Sequence, residues 1–141
     1  MTREEIYRQA EQRLGEVPTW FEYIPDAFLE HEWNTWQAEM TTKDTAIPMK
    51  WQQLICVGIA AAIKDEYSVL WCTESAKAAG ATDEEIREAV YLTKSILGWD
   101  SFLKGNQVDY EQFKQSVQRF FRMMGERGVF QPTQTREKSS I

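Results

Sequence analysis

The sequence contains little histidine and little cysteine: one histidine and two cysteines in 141 residues. A single histidine, His31, has no second imidazole at helical spacing, so we expect it to face solvent or an interface and not a metal. Two cysteines are too few for a disulfide framework, although one redox pair is compatible with the count. Glycine-rich phosphate loops, a Ser-His-Asp set and multi-cysteine metal spacings are absent. The sequence therefore predicts no metal and no cofactor.

Basic clusters and long apolar runs are also missing. The formal net charge is −6, and no run of lysine or arginine marks one face, so neither nucleic acid nor an anionic membrane is an expected partner. No apolar run approaches the ~20 residues of a membrane span, and the first residues are charged where a signal peptide would be apolar. We therefore expect a cytoplasmic protein.

Aromatic residues are abundant. Hydrophobic residues make up 43% of the chain, and they include six Trp, seven Phe and five Tyr. One globular domain can form a core from this material, but a small helical protein often leaves some of so many aromatic side chains at its surface. The composition favours a subunit interface or an aromatic-lined pocket.

Apolar residues at helical spacing predict an all-α bundle of about six helices and no strand. Capping boxes, prolines of a first helical turn and capping aspartates mark the helix starts. The predicted starts follow Thr2, Pro25, Pro48, Asp65, Thr82 and Asp109. Glycine is the usual residue beyond a helix end. The predicted ends lie at Gly15, Gly80, Gly98 and Gly125.

These elements predict a single domain over residues 1–128. It comprises aromatic helices in 1–47, a core in 48–98 and a C-terminal helix in 109–125. The helix after Pro48 is apolar on nearly every side, so we expect it to be the central buried helix and to form an antiparallel hairpin with the next one. The tail at 129–141 is polar and without periodicity, and its composition predicts disorder.

The segment at 49–86 carries a family resemblance. It reads MKWQQLI at 49–55, AAA at 60–62, EY at 66–67 and AAGATDEEI at 78–86. This order of an alanine-rich helix, a short break, a helix ending in AGAT and a capped helix beginning DEEI resembles the core of the carboxymuconolactone decarboxylase and alkyl hydroperoxidase D superfamily. The resemblance implies an alkyl hydroperoxidase D-like fold and a helix-mediated homo-oligomer, commonly a trimer or a hexamer.

The residues that this superfamily uses for chemistry differ here. The alkyl hydroperoxidase D branch has Cys-x-x-Cys-x-x-x-His with a glutamate twelve residues earlier. The matching positions of this sequence hold Gln53, Asp65, Ser68 and Cys72. The decarboxylase branch resembles Glu-Tyr-x-x-x-x-His, of which Glu66 and Tyr67 match and Cys72 replaces the histidine. The resemblance therefore implies a degenerate active site, without the standard peroxidase or decarboxylase chemistry.

The resemblance places a pocket for a small organic molecule between the Pro48 and Glu66 helices. The candidate catalytic residues are Asp65, Cys72 and Gln53, and the further pocket residues are Cys56, Ser68 and Glu66. Asp65 is a candidate general base if burial raises its pKa. The alternative is that Asp65, Glu66 and Ser68 only cap a helix.

Cys56 and Cys72 are equidistant in sequence from Lys64, in the predicted turn. On an antiparallel hairpin they therefore lie at a similar height, and the rotation of the helices decides their separation. Because packed helix axes are ~8 to 10 Å apart, a bond between inward-facing cysteines is feasible. The alternative is two ordinary small core residues.

The sequence is compatible with three functions. The first is a carboxymuconolactone decarboxylase-like enzyme or binding protein for a small organic acid or lactone. The second is a thiol-based peroxidase or disulfide redox protein that uses Cys56 and Cys72. The third is a non-catalytic oligomeric scaffold or binding protein that kept the fold and lost the chemistry.

Overall fold

The computed structural model describes residues 1–41 and 44–129, which contain six α-helices, one 3-10 helix and no strand. This confirms the predicted all-α class. The α-helices are α1 (Arg3–Leu14), α2 (Asp26–Thr41), α3 (Met49–Ile63), α4 (Glu66–Ala78), α5 (Asp83–Gly105) and α6 (Tyr110–Glu126), and the 3-10 helix (Thr19–Tyr23) lies between α1 and α2. Within the described ranges, none of the helices combines the length and the apolar character that a membrane span needs.

The chain divides into two compact units, Met1–Gln52 and Gln53–Ile141. The division falls inside α3 and not in a linker. The single domain predicted over residues 1–128 stays a prediction, and the predicted tail, apart from Val129, lies outside the described residues.

The capping boxes begin α1 and α5 as predicted. At α1 the Thr2 hydroxyl accepts a hydrogen bond from the Glu5 backbone N–H at 3.3 Å, and the Thr2 N–H donates to the Glu5 carboxylate at 2.8 Å. The same reciprocal pair joins Thr82 and Glu85 at 3.1 and 2.9 Å. Each pair satisfies backbone donors that a helix start leaves without partners. Local chemistry alone therefore sets these two starts.

Two of the four predicted helix ends differ from the structure: Gly125 is the penultimate residue of α6, and Gly98 is far from a helix end. Gly15 and Gly80 follow their helices with φ of 86° and 91°, in the left-handed region, as expected. Gly98, in contrast, lies within α5, which continues to Gly105. A glycine inside a helix costs only about 1 kcal/mol. The residues after it support the helix, since Lys104 pairs with Asp100 one turn earlier at 2.9 Å.

The first unit has its own aromatic core. The buried residues come from α1, the 3-10 helix and α2, and they are Ile6, Ala10, Phe21, Leu29 and Trp33. The Trp33 indole N–H donates to the Gln9 side-chain oxygen at 3.0 Å, so its polar atom is satisfied inside the core. The Arg3 guanidinium donates to the backbone oxygens of Phe21 at 3.0 Å and Ile24 at 2.5 Å. These bonds hold the 3-10 helix against α1.

The second unit is longer than the first and yet has only six buried residues among those described. Its buried side chains lie on one face of α3 and one face of α4, and they are Gln53, Leu54, Val57, Ala60, Cys72 and Ala76. Ile55, Ile59 and Ile63 of α3 are each more than half exposed. The expectation of a central helix buried all round is therefore wrong for the single chain. No residue of α5 or α6 is buried, because no other described element covers their outer faces.

Gly58 marks a close approach between α3 and α5. The Thr93 hydroxyl lies 3.2 Å from the Gly58 carbonyl oxygen and 3.1 Å from the Ala89 carbonyl oxygen. A β-carbon at position 58 would lie only 3.0 Å from the Thr93 oxygen. The absence of a side chain at Gly58 therefore lets the Thr93 hydroxyl reach the backbone of α3.

We predict that the effect of Gly58→Ala on stability changes sign with the residue at position 93. Alanine is the better helix former by roughly 0.5–1 kcal/mol, but its methyl group must displace the Thr93 hydroxyl. Gly58→Ala should therefore destabilise the wild-type chain and stabilise the Thr93→Ala variant by about that amount. Denaturant unfolding of the four proteins of this double-mutant cycle measures the coupling. Equal effects in both backgrounds would refute the close approach.

Candidate functional site at the turn between α3 and α4

The turn between α3 and α4 is built by the backbone. Lys64 has a φ of 58° in the left-handed region. Its N–H donates to the Ala61 carbonyl at 3.2 Å, and the Asp65 N–H donates to the Ala60 carbonyl at 3.1 Å. Such a pair of bonds closes a helix and usually has glycine at the left-handed position. The break predicted at Lys64 and Asp65 is thus confirmed as a tight helix end that needs no glycine.

Asp65 is the N-cap of α4. One carboxylate oxygen accepts the backbone N–H groups of Tyr67 at 3.1 Å and Ser68 at 3.3 Å, and the other accepts the Ser68 hydroxyl at 2.5 Å. The hydroxyl bond is the main reason why the pKa of Asp65 lies below its usual value, and the backbone bonds add to it against a smaller opposing effect of desolvation. The carboxylate is therefore a fixed negative charge at neutral pH.

The lowered pKa of Asp65 disfavours its predicted role as a general base. The general-base hypothesis requires burial to raise the pKa of Asp65, whereas hydrogen bonds to the charged form lower it. A carboxylate with a lowered pKa binds a proton more weakly and is a poorer base at neutral pH. The capping alternative describes the observed contacts of Asp65, and a catalytic role for this residue stays a prediction.

Cys56 on α3 and Cys72 on α4 are neighbours, since Cys56 is one of the groups that raise the pKa of Cys72. Both cysteines are free thiols. The spacing around Lys64 predicted a similar height for the two residues and left their separation open. Cys72 is buried, with 8% of its surface exposed, whereas Cys56 is partly exposed. The structure therefore places the two side chains close enough for Cys56 to affect the pKa of Cys72, which the sequence alone could not establish.

The surroundings of Cys72 disfavour its thiolate. Burial is the largest cause of a raised pKa, followed by the interaction with Cys56 and by the negative charge of Asp65. All three effects act in the same direction, since each opposes a second negative charge in a poorly solvated place. Cys72 is therefore a protonated thiol at neutral pH.

The other predicted site residues divide into buried and exposed ones. Gln53 is buried with 8% of its surface exposed, and it precedes Cys56 by one helical turn, on the same side of α3. Ser68 is half-buried against Asp65, whereas Glu66 is exposed at the surface. The structure thus brings together Asp65 with Ser68, and the two cysteines with each other.

The remaining candidates lie elsewhere. His31 on α2 is exposed, as predicted for a histidine that faces solvent. Over residues 1–41 and 44–129, no three side chains of His, Cys, Asp or Glu converge in a way that could hold a metal ion.

We predict that the Asp65 cap stabilises the protein in a pH-dependent way. Because its pKa is lower in the folded than in the unfolded chain, the contribution is present above the unfolded value of 3.8 and is lost as the pH falls through the folded-state pKa. Asp65→Ala should lower the thermal midpoint at neutral pH and make little difference in acid. Asp65→Asn keeps a good cap without the charge and is the matched control. A gap between Asp65→Ala and wild type that persists unchanged in acid would contradict this account.

Comparison with known proteins places this site within a family. A sequence model described as the carboxymuconolactone decarboxylase family matches residues 24–108, which is more than half of the chain. The matched range contains α2 to α5, the turn at Lys64 and both cysteines. No curated protein and no solved structure matches the chain. The all-helical fold agrees with the family match, and the chain belongs to the carboxymuconolactone decarboxylase family.

Proposed function

We propose that this member of the family is a thiol–disulfide redox protein in which Cys56 and Cys72 cycle between a dithiol and a disulfide. The observation that supports the proposal is the proximity of the two side chains, which lets Cys56 raise the pKa of Cys72. A disulfide needs its sulfur atoms at about 2.05 Å with a defined torsion, so the proposal requires the two neighbouring thiols to move within that distance. The pair bridges α3 and α4, unlike a Cys-x-x-Cys pair within one helical turn.

A hydroperoxide is the oxidant that completes this chemistry. One cysteine, as its thiolate, attacks the terminal oxygen; the O–O bond breaks, and an alcohol leaves with the proton released by that thiol. The second cysteine then attacks the resulting sulfenic acid; the S–S bond forms, and the hydroxyl group leaves as water with the proton of the second thiol. Two thiols lose two electrons, and the peroxide gains them. A small thiol or a dithiol protein restores the reduced pair by exchange.

We predict that mild hydrogen peroxide converts the reduced protein into a species that has lost two hydrogen atoms and contains a Cys56–Cys72 bond. Dithiothreitol should reverse the change. Mass spectrometry of the intact chain and of its peptides locates the bond, and Cys56→Ser and Cys72→Ser are the matched controls that cannot form it. Overoxidised cysteines or bonds between chains, with no bond inside the chain, would contradict the proposal.

The second candidate function is to bind or convert a small organic acid or lactone between α3 and α4. Family membership favours it, and so does Gln53, which places a buried polar side chain one turn from Cys56. Asp65 or Cys72 would be the working group of such a site. The lowered pKa of Asp65 suits a fixed charge better than a base. If the thiols do not react with peroxide, action on a small organic acid or lactone is the remaining enzymatic function.

We also propose that the protein is a homo-oligomer, with the trimer or hexamer that the resemblance implies. The large apolar side chains of α5 and α6 support this, because many of them are more than half exposed. Those more than half exposed are Tyr91, Leu92, Ile96, Trp99, Phe102, Tyr110, Phe120 and Phe121. Such a surface is unfavourable for a single chain in water, and a helix the length of α6 is marginal without packing. A second copy presents the same apolar surface.

The apolar face of α6 offers a direct test of assembly. Phe113, Val117 and Phe120 recur on one face at helical spacing, and Gln115 lies on the opposite face. Phe120→Asp should lower the mass of the particle measured by light scattering or sedimentation, because it places a charge in the interface. Gln115→Asp adds the same charge outside it and should leave the mass unchanged. A monomeric wild type, or equal dissociation of both variants, would refute the interface.

A non-catalytic scaffold shares this prediction of assembly. The scaffold and the redox protein differ in the predicted behaviour of the thiols, because a scaffold does not require a reversible Cys56–Cys72 bond. Assembly together with inert thiols and no small-molecule ligand would therefore favour the scaffold.

A further inference from the structure

The two thiols of the pair are not equivalent. Cys56 is partly exposed, whereas Cys72 is buried and lies close enough to Asp65 to sense its charge. From this asymmetry we infer that the pair works in one direction: Cys56 reacts with the oxidant, and Cys72 resolves the product. The inference rests on the proposed redox function and assigns a separate role to each cysteine.

Access is the first reason. A peroxide must reach the sulfur atom along the line of its own O–O bond, which requires an open path from solvent. Cys56 is partly exposed, and only 8% of the surface of Cys72 is accessible. The small oxidant therefore meets the sulfur of Cys56 first.

Charge is the second reason. The thiolate is the reactive form of cysteine, and the site around Cys72 opposes that form by burial and by the carboxylate of Asp65. Asp65 holds its charge because three hydrogen bonds from Tyr67 and Ser68 stabilise the ionised carboxylate. Cys72 thus keeps its proton while an oxidant is near.

The same features suit Cys72 to the second step. A thiol of high pKa gives an intrinsically strong nucleophile once it loses its proton, and here the departing hydroxyl group of the Cys56 sulfenic acid accepts that proton and leaves as water. The two thiols are neighbours within one chain, so this step is intramolecular and a low thiolate fraction is offset by a high effective concentration. A buried resolving thiol also excludes a second peroxide from the sulfenic acid on that side.

Trapping the sulfenic acid tests the order of the two steps. Each single variant is treated with hydrogen peroxide in the presence of dimedone, which adds to sulfenic acids. Cys72→Ser should accumulate the adduct on Cys56 about tenfold faster than Cys56→Ser accumulates it on Cys72. Adduct formation at Cys72 that is equal or faster would overturn the inference.

A measurement on the unmodified chain guards against variants that fold poorly. The reduced wild-type protein receives less than one equivalent of N-ethylmaleimide, and peptide mapping gives the ratio of modified Cys56 to modified Cys72. We expect a ratio of about ten in the folded protein and a ratio near one in denaturant. A folded ratio near one, or one that favours Cys72, would count against the assignment.

A wrong assignment of roles to the two cysteines can be distinguished from a wrong redox function. If peroxide produces the Cys56–Cys72 bond but Cys72 is the thiol that is trapped, the redox function stands and the direction is wrong. If the wild-type chain never forms the bond, the redox function is wrong and the assignment of roles falls with it, whatever the two thiols do separately.

Discussion

The turn at Lys64 and Asp65 is the constraint on which the candidate site depends. Two backbone hydrogen bonds close α3, and a residue in the left-handed region redirects the chain. The Asp65 carboxylate then caps α4. Cys56 and Cys72 lie at equal sequence distance on either side of Lys64, and they are neighbours across this turn. Asp65 acts twice, since the hydrogen bonds that cap the helix also hold a negative charge that adds to the raised pKa of Cys72, after the larger effects of burial and of Cys56.

The two units of the chain differ in how they bury their side chains. The first unit closes a core around Trp33, in which even the indole N–H is satisfied. The second unit buries one face of α3 and one of α4 and leaves α5 and α6 exposed. Hydrophobic stabilisation is proportional to the apolar area removed from water, so covering these exposed faces in the proposed assembly would stabilise the second unit. Cys72 lies on the buried face of α4, and Cys56 is partly exposed.

Sequence predicts the parts of this structure that depend on local chemistry. Thr2 with Glu5 and Thr82 with Glu85 set helix starts through contacts three residues apart, and these predictions are confirmed. The helix end predicted at Gly98 is wrong because glycine only lowers the stability of a helix and does not have to end it. The residues after Gly98 favour the helix by more than the glycine costs. The separation of the cysteines could not be predicted, because α3 is apolar on nearly every side and its pattern favours no single rotation. The direction of the Asp65 pKa shift likewise depends on hydrogen-bond geometry that sequence does not contain.

The central claim is that Cys56 and Cys72 form a reversible couple, and equilibration with glutathione redox buffers tests it most directly. The protein is incubated over a range of reduced to oxidised glutathione, quenched with acid, alkylated and weighed by mass spectrometry. The account predicts one two-electron transition from the dithiol to the Cys56–Cys72 disulfide, with little mixed disulfide because the neighbouring thiol displaces glutathione. A chain that carries glutathione on Cys56 while Cys72 stays reduced at every buffer ratio would contradict it.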